Sequence, residues 1–149
     1  MANILFPTDF SDTANNAFLY AVNLAKVLNA DVKLISVSSH LNHQANIHQE
    51  DFESYTDQLK SLATANNLGD VNVKSSLEVG DLLLTIMDIV SKEDVNYIVM
   101  GTNGQNSLGK KIFGSNTLNV INNATVPVLV IPNRVKFKAD RKFGFATLF

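Results

Sequence analysis

The stretch VNYIVMGTNGQNSLGKKIFGSNTLNVINNATVPVLVIP, residues 95–132, decides the fold of this chain. Its apolar run 97–100 predicts a buried strand, because β-branched and aromatic residues dominate the run and Gly101 ends it. A second branched run, 128–131, stands between two prolines, which is typical of a strand at the edge of a sheet. Between the two strands lie a loop with several glycines and a predicted helix, 115–123.

The loop has the composition of an anion-binding site. Gly101 and Gly104 stand at the exit of the first strand, and Gly114 comes directly before the helix. The free N–H groups at a helix N-terminus carry a partial positive charge, and glycine lets a phosphate approach without a Cβ in the way. Ser115 and Asn116 add side-chain donors there. The loop therefore favours a phosphate ligand.

The rest of the chain alternates between predicted strands and helices. Strands are predicted over 3–6, 32–37 and 71–77, and helices from 11 or 12 to 28, from 49 to 66 and from 81 to 91. Asp81 is a candidate N-cap for the last of these helices. Strands that alternate with helices form parallel βαβ units with right-handed crossovers. We therefore predict an α/β fold of Rossmann-like type, in which a five-stranded parallel sheet of order 3-2-1-4-5 carries helices on both faces.

Each predicted helix has apolar residues at three- and four-residue steps, and we expect these residues to face the sheet. They are Ala14, Ala17, Phe18, Ala21, Leu24, Ala25 and Leu28 in the first helix, Phe52, Tyr55, Leu59, Leu62 and Ala63 in the second, Leu82, Leu83, Ile86, Ile89 and Val90 in the third, and Leu118, Ile121 and Ala124 in the fourth. In such sheets ligands bind where the winding reverses, here between strands one and four. We therefore expect the loops after Phe6 and Met100 to converge.

Composition is typical of a soluble globular domain, and we expect the cytoplasm as its compartment. The 149 residues are 46% hydrophobic and 17% charged, which is ordinary for one domain with a sizeable core. No apolar run is long enough to span a bilayer, and the N-terminal residues lack the features of a signal peptide. The absence of cysteine excludes disulfides, thiolate zinc sites and cysteine nucleophiles.

Charge is distributed unevenly along the chain. Residues 134–149 hold five of the twelve basic residues and one of the fourteen acidic residues, so the body of the chain is acidic. An acidic domain lacks the basic surface that binds nucleic acid, and five basic residues in a tail are too few to form such a surface. We therefore expect neither a nucleic acid nor a membrane as a partner.

The spacing G-x2-G-x9-G-S, with PTDFS near the N-terminus and PVLVIP after the helix, resembles the ATP-binding branch of the universal stress protein family. The resemblance covers residues 1–132 and implies that ATP binds with Mg²⁺. It places the adenosine at the exit of strand one, the base against the end of strand two, and the phosphates on the glycine loop. Where family members commonly have a histidine, this chain has Asn103. The implied site residues are Pro7, Thr8 and Asp9 at the adenosine, Val37 at the base, Met100, Gly101, Thr102 and Gly104 at the ribose and first phosphates, and Gly114, Ser115 and Asn116 at the outer phosphates.

The resemblance also implies a function. An ATP-binding universal stress protein acts as a nucleotide-dependent stress-response or regulatory module with little or no turnover. The family often associates as homodimers, and the apolar edge strand 128–131 is the surface on which we expect pairing with a second copy. The alternative is a dimeric interaction module of the same fold that works without nucleotide.

Two other phosphate-binding folds fit the sequence less well. The segment from Gly104 to Lys111 approaches the P-loop pattern, but Lys111 replaces the hydroxyl residue that would hold Mg²⁺ and too few strands follow. An FMN carrier of flavodoxin type would have its phosphate loop after strand one, where PTDFSDT contains no glycine. Both folds are therefore disfavoured.

Signals for catalysis and for metal binding are weaker. His40, His43 and His48 lie in a polar connection, and a metal site there would lack acidic partners at helical spacing before Glu50. No nucleophile with a base and no carboxylate pair suggests an enzyme. Lys110 and Lys111 are candidates for neutralising phosphate charge.

Residues 133–149 are expected to form a basic linker followed by a strand-like tail. The tail segment 142–149 aligns with 3–10, with identities at Phe6 and Phe145, at Thr8 and Thr147, and at Phe10 and Phe149. Tandem members of the family join two domains in this order, so the chain is a candidate for the first domain of such a protein. We expect the tail to dock on a partner subunit because its large apolar residues favour burial.

Overall fold

The structure, a computed structural model, describes residues 2–39, 48–102 and 114–139. Its elements are β1 (Asn3–Pro7), α1 (Asp12–Leu28), β2 (Asp31–Ser38), α2 (Gln49–Ala65), β3 (Val73–Val79), α3 (Leu82–Lys92), β4 (Tyr97–Gly101), α4 (Ser115–Asn123) and β5 (Val128–Ile131). The strands form one parallel sheet of order β3-β2-β1-β4-β5, which confirms the predicted fold class and strand order. The predicted boundaries are within two residues of those observed.

The sheet brings the ends of its central strands to one edge. In β1, Pro7 is in register with Ile35 of β2, and Leu5 is in register with Ile98 of β4. The chain places β2 and β3 on one side of β1 and then, after α3, β4 and β5 on the other side, so the winding reverses at β1. The polypeptide that follows β1 and β4 therefore leaves the sheet at the same place.

Alternate residues of each strand feed two hydrophobic cores, one on each face of the sheet. Ile4 and Phe6 of β1 pack with α1 and α2, and the rings of Phe6 and Phe18 lie with centroids 5.7 Å apart. Leu5 points to the other face, where α3 and α4 supply residues such as Ile86. Because both faces are covered, β1 is buried from Ile4 onwards.

The predicted buried face of α4 is wrong at Leu118 and Ile121, whereas Ala124 packs partly buried against the core as expected. Leu118 and Ile121 are 44% and 39% exposed, whereas Thr117 and Val120 are buried. Thr117 and Val120 lie one turn apart and set the helix rotation, so that Leu118 falls on a flank rather than beneath the helix. Hydrophobicity alone indicated the side of Leu118 and Ile121, because the residue that occupies the core position, Thr117, carries a hydroxyl group.

Two further residues expected to be buried are exposed. Leu28 is the last residue of α1 and is 38% exposed. Tyr55 on α2 is exposed as a residue, but its ring stacks on Phe10 of the turn after β1. The remaining predicted positions of α1, from Ala14 to Ala25, are buried as expected.

The chain beyond β5 lies along α1. The side-chain amide of Asn16 donates to the carbonyl oxygens of Pro132 and Val135, at 3.3 and 3.0 Å. Phe137 meets Tyr20 edge to face with the ring centroids 5.2 Å apart. Residues 133–139 therefore extend the packed domain, while 140–149, which carry the tail alignment, lie outside the described residues, and tail docking stays a prediction.

Candidate functional site

A cleft of about 580 Å³ opens at the edge of the sheet where β1, β2 and β4 end. Its size and its position at the reversal of winding are those of a small-molecule site in an open α/β sheet. The cleft is lined by Pro7, Thr8, Asp9, Ser11, Thr13, Ala14, Ser36, Val37, Ser39, Gly80, Asp81, Leu82, Met100, Gly101, Thr102, Asn116 and Thr117.

The turn after β1 is held in place by its own side chains. The Thr8 hydroxyl accepts a hydrogen bond from the Phe10 backbone N–H at 3.0 Å, and the Asp9 carboxylate accepts one from the Ser11 N–H at 3.0 Å. These bonds use one lone pair of Thr8 and one oxygen of Asp9. The Thr8 proton and the second Asp9 oxygen are left for a ligand.

Aromatic packing explains the unusual backbone of this turn. Phe10 has φ 57°, which is costly for a bulky residue. Its ring stacks on Tyr55 at 5.0 Å and meets Phe52 edge-on at 5.9 Å, both from α2. The apolar contact offsets the backbone strain and anchors the turn, so Asp9 is presented to the cleft from a fixed position.

Gly101 brings α1 close to the end of β4. A Cβ built on Gly101 would lie 3.3 Å from the Ala17 Cβ and 3.3 Å from the Thr13 carbonyl oxygen. Its missing side chain therefore makes room for the first turns of α1, one wall of the cleft. The sequence suggested glycine there for phosphate approach, whereas the structure shows a packing reason for it.

Three helices begin at the cleft, and their N-termini differ in charge. The α1 helix carries Asp12 in its first turn, and α3 is capped by Asp81, whose carboxylate accepts from the Leu84 N–H at 2.9 Å. The α4 helix begins after Gly114, with no side-chain cap and no acidic residue in its first turn. Its partial positive charge is therefore not neutralised by a neighbouring carboxylate of the helix.

Buried hydroxyl groups form part of the lining. Thr8, Ser36, Thr102 and Thr117 are the buried polar residues of the cleft among those that the structure describes. A buried hydroxyl needs a hydrogen-bond partner, or it costs free energy. The lining therefore offers several hydroxyl groups that can hydrogen-bond to a bound molecule.

Most of the site residues predicted from the sequence lie at this cleft. Gly114 and Ser115 stand at the start of α4, two residues and one residue before the lining residue Asn116. Gly104, like Asn103, Lys110 and Lys111, lies outside the described residues. The predicted residues that line the cleft are Pro7, Thr8, Asp9, Val37, Met100, Gly101, Thr102 and Asn116.

Sequence reasoning missed the wall formed by the turn between β3 and α3. Gly80 and Asp81 line the cleft, and the Gly80 N–H donates to the Ser38 carbonyl at 2.9 Å, which ties the turn to the end of β2. The rule that parallel strands end at one edge could have placed them there. The sequence gave no comparable signal for Ser36 and Thr117. Each lies within a strand or a helix, and the direction of its hydroxyl is set only when that element packs in the folded chain.

The histidine hypothesis is largely outside the described residues. His40 and His43 are not described, and His48 stands at the N-cap of α2 without a side-chain cap bond. Within residues 2–39, 48–102 and 114–139, no group of three or more histidine, cysteine or acidic side chains is arranged to hold a metal ion. In the same ranges, no helix combines the length and the apolar character needed to cross a membrane.

Comparison with known protein families matches residues 1–132 to the Universal stress protein family. The chain belongs to this family. Universal stress protein MJ0577 of Methanocaldococcus jannaschii is 29% identical over an alignment covering 88% of this chain and 94% of the relative. The solved structure of MJ0577 superposes with a TM-score of 0.68 at 27% identity and covers 91% of this chain and 98% of that one. The family membership thus agrees with the sequence resemblance and with the fold.

Two more distant structures share the fold. A universal stress protein solved in complex with cAMP has a TM-score of 0.70 at 18% identity, covering 89% of this chain and 97% of its own. The universal stress protein of Archaeoglobus fulgidus in complex with dAMP has a TM-score of 0.62 at 22% identity, covering 87% and 97%. Members of this family therefore include proteins that bind adenine nucleotides.

Proposed function

We propose that this universal stress protein binds ATP in the cleft between β1 and β4 and acts as a nucleotide-dependent regulatory module with little or no turnover. The observation that carries the proposal is the open N-terminus of α4 at one end of a cleft of suitable size. The nucleotide complexes of the two related structures support the ligand class.

Charge orients the ligand in this proposal. The charged side chains among the described lining residues are the carboxylates Asp9 and Asp81. A polyphosphate is repelled by these carboxylates and attracted by the N–H groups at the start of α4. The phosphates therefore lie towards Gly114 and Asn116, and the nucleoside lies towards the other walls.

The nucleoside end is suited to hydrogen-bond donors. Asp9 and Asp81 each give one carboxylate oxygen to a backbone N–H and keep the other available. Ribose hydroxyls and the exocyclic amino group of a base are donors that such oxygens accept. Val37, half-buried near the end of β2, also lines the cleft and offers an apolar surface to the base.

Magnesium fits the proposal as a companion of the nucleotide. Mg²⁺ keeps several of its waters and is usually bound through substrate phosphates with one or two carboxylates. Because the carboxylates of the described lining lie at the nucleoside end in this proposal, Mg²⁺ would be held by the phosphates and its own waters. When bound, Mg²⁺ would neutralise part of the phosphate charge. Calorimetric titrations of ATP with and without Mg²⁺ measure its contribution to the affinity.

The decisive experiment changes the residue before α4. Gly114 has φ −69° and ψ 164°, an extended conformation that valine adopts readily, so Gly114→Val should fold normally. Its added carbons stand where the phosphates approach the helix, and we expect ATP affinity to fall by more than about tenfold, with a smaller loss for Gly114→Ala. A folded Gly114→Val protein with wild-type affinity would place the phosphates elsewhere.

A homodimer through β5 is the second part of the proposal. Within the sheet, β5 pairs with β4 on one side alone, and α4 packs on β5 while exposing Leu118 and Ile121. An apolar edge strand with an exposed apolar flank beside it favours pairing with a second copy. The same surface would serve the alternative function, a dimeric interaction module that works without nucleotide.

Light scattering at high micromolar concentration tests the dimer. We expect a dimeric mass for the wild type and a monomeric mass for Leu118→Lys combined with Ile121→Lys. Leu84→Lys is the matched control, because Leu84 is 70% exposed but lies on α3. A monomeric wild type would remove the dimer, and a dimer with no measurable ATP binding would favour the alternative function.

A further inference from the structure

We infer that two aromatic residues of α2, Phe52 and Tyr55, are positioning residues for the nucleotide site. They act through the turn after β1, so that nucleotide binding in the cleft and the docking of α2 on the domain are coupled. The inference rests on the proposed function, because it requires that a nucleotide occupies the cleft. It goes beyond that function by naming the surface helix that responds to the nucleotide.

The side chain of Phe10 joins α2 to the turn that lines the cleft. Its ring stacks on that of Tyr55, with the centroids 5.0 Å apart and the planes inclined by 21°, and it meets the ring of Phe52 at 5.9 Å. The residue before Phe10 is Asp9, which lines the cleft, whereas none of the three rings does. The aromatic residues therefore act on a ligand only through the backbone of the turn.

The backbone of Phe10 depends on these rings. Its φ of 57° lies in the left-handed region, which a bulky residue rarely adopts. The Phe10 N–H donates to the Thr8 hydroxyl at 3.0 Å, and the next N–H, that of Ser11, donates to the Asp9 carboxylate at 3.0 Å. A strained conformation persists only where the surrounding contacts hold it. Without the ring of Tyr55, Phe10 should relax towards negative φ, and Asp9 should then leave its position in the cleft.

The helix that supplies these rings is held less firmly than α1, which lies on the same face of the sheet. Both helices have 17 residues, but α1 buries eight of them and α2 buries four. One of the four is Thr56, which is 3% exposed and has a hydroxyl without a hydrogen-bond partner among the described residues. Such a hydroxyl costs free energy, so it weakens the docking of α2. An element with little buried apolar surface opens locally before the rest of a protein.

Coupling of this kind acts in both directions. If Asp9 is held in place only while α2 is docked, loosening α2 lowers the affinity for the nucleotide. By the same linkage, a nucleotide that binds Asp9 favours the docked helix. The unsatisfied Thr56 hydroxyl then has a consequence for function, because imperfect docking leaves α2 free to respond when the cleft is filled.

Calorimetry with ATP tests the first direction. Tyr55→Ala should lower the affinity about threefold to tenfold, as expected for the loss of a stacked aromatic pair, and Tyr55→Phe, which keeps the ring, should stay within about twofold of wild type. In an Asp9→Ala background the loss caused by Tyr55→Ala should disappear, because the ring acts through Asp9. The matched control is Phe137→Ala. It removes another aromatic contact, with Tyr20 at 5.2 Å, and neither residue lines the cleft, so ATP affinity should be unchanged.

Hydrogen exchange of the α2 amides tests the second direction. At concentrations that saturate the protein, ATP should slow this exchange about threefold or more in the wild type, the same factor as the coupling measured by affinity. In Phe10→Gly, glycine adopts the positive φ without strain but no ring reaches α2, so ATP should no longer change the exchange. Thr56→Val removes the unsatisfied hydroxyl and should slow α2 exchange in the empty protein about fivefold or more.

The outcomes separate this inference from the proposed function. If the wild type does not bind ATP, both fail. If it binds ATP but α2 exchange does not respond, or if Tyr55→Ala binds ATP as tightly as the wild type, this inference alone is overturned. A loss in Phe137→Ala equal to that in Tyr55→Ala, or a Tyr55→Ala loss that persists without Asp9, overturns it too, because the rings then do not act through the turn. Unchanged α2 exchange in Thr56→Val would overturn the loose docking on which the coupling depends.

Discussion

Replacing Gly101 by alanine should destabilise the protein by about 1 kcal/mol, because α1 packs against the position that the new Cβ would fill. The Cβ would lie 3.3 Å from both the Ala17 Cβ and the Thr13 carbonyl oxygen. Optimal separations between carbon atoms are about 3.5–4.0 Å, so α1 must move by a few tenths of an ångström. Overpacking of this kind costs about 1–3 kcal/mol.

An opposing effect reduces that cost. Alanine restricts the unfolded chain more than glycine does, which stabilises a protein by about 0.4–1 kcal/mol where the native conformation permits it. Gly101 is not among the residues with positive φ, so alanine can adopt its conformation. The overpacking is the larger of the two effects, and the net change should be destabilising.

Urea unfolding at equilibrium measures the difference, with Gly69→Ala as the control. A Cβ on Gly69 would meet the Thr64 hydroxyl at 3.1 Å, but Thr64 is exposed and its side chain can rotate away. Gly69→Ala should therefore be neutral or slightly stabilising. A Gly101→Ala protein as stable as the wild type, or more stable, would refute the close packing of α1 on β4.

Other substitutions test separate parts of the structure. Asp81→Ala should lower stability by about 1 kcal/mol through loss of the α3 cap, whereas Asp81→Ser, which can still cap, should be nearly neutral in thermal unfolding. The side-chain hydrogen bond from Lys26 lowers the pKa of Asp70 below 3.8, so Lys26→Met should raise that pKa in an NMR titration. Because the folded pKa is the lower one, the Lys26 contribution should be present at neutral pH and disappear as the pH falls through it. Phe137→Ala should cost about 1–3 kcal/mol in urea unfolding through lost contact with Tyr20, and no change would mean that residues 133–139 do not pack on α1.

Local patterns were sufficient for the elements and for their order. The branched runs that became β2 and β4 are short and bounded by polar residues or glycine, which leaves little choice of structure. The strand order followed from the alternation of strands and helices and from the prolines around β5. The same reasoning brought Asp9 and Gly101 to one edge of the sheet, where both line the cleft.

Sequence reasoning was weaker where a residue's role depends on the rotation of its element or on a distant neighbour. Leu118 was expected in the core and Thr117 was overlooked, because the rotation of α4 is set by packing on the sheet. Gly101 was given a ligand reason, although its contact with α1 joins residues more than eighty positions apart. Such contacts leave no periodic trace in the sequence.

The sequence by itself determined that this chain is a parallel α/β domain of the universal stress protein family, because periodicity and glycine spacing are local properties that survive in the unfolded chain. The tertiary structure alone decided which groups face the cleft. It placed the Asp81 turn and Asp9 in the lining of one cleft, left the N-terminus of α4 without a carboxylate, and buried Thr117 in the first turn of that helix. These features depend on how helices dock on the sheet, since docking fixes the rotation of each helix and the burial of each side chain.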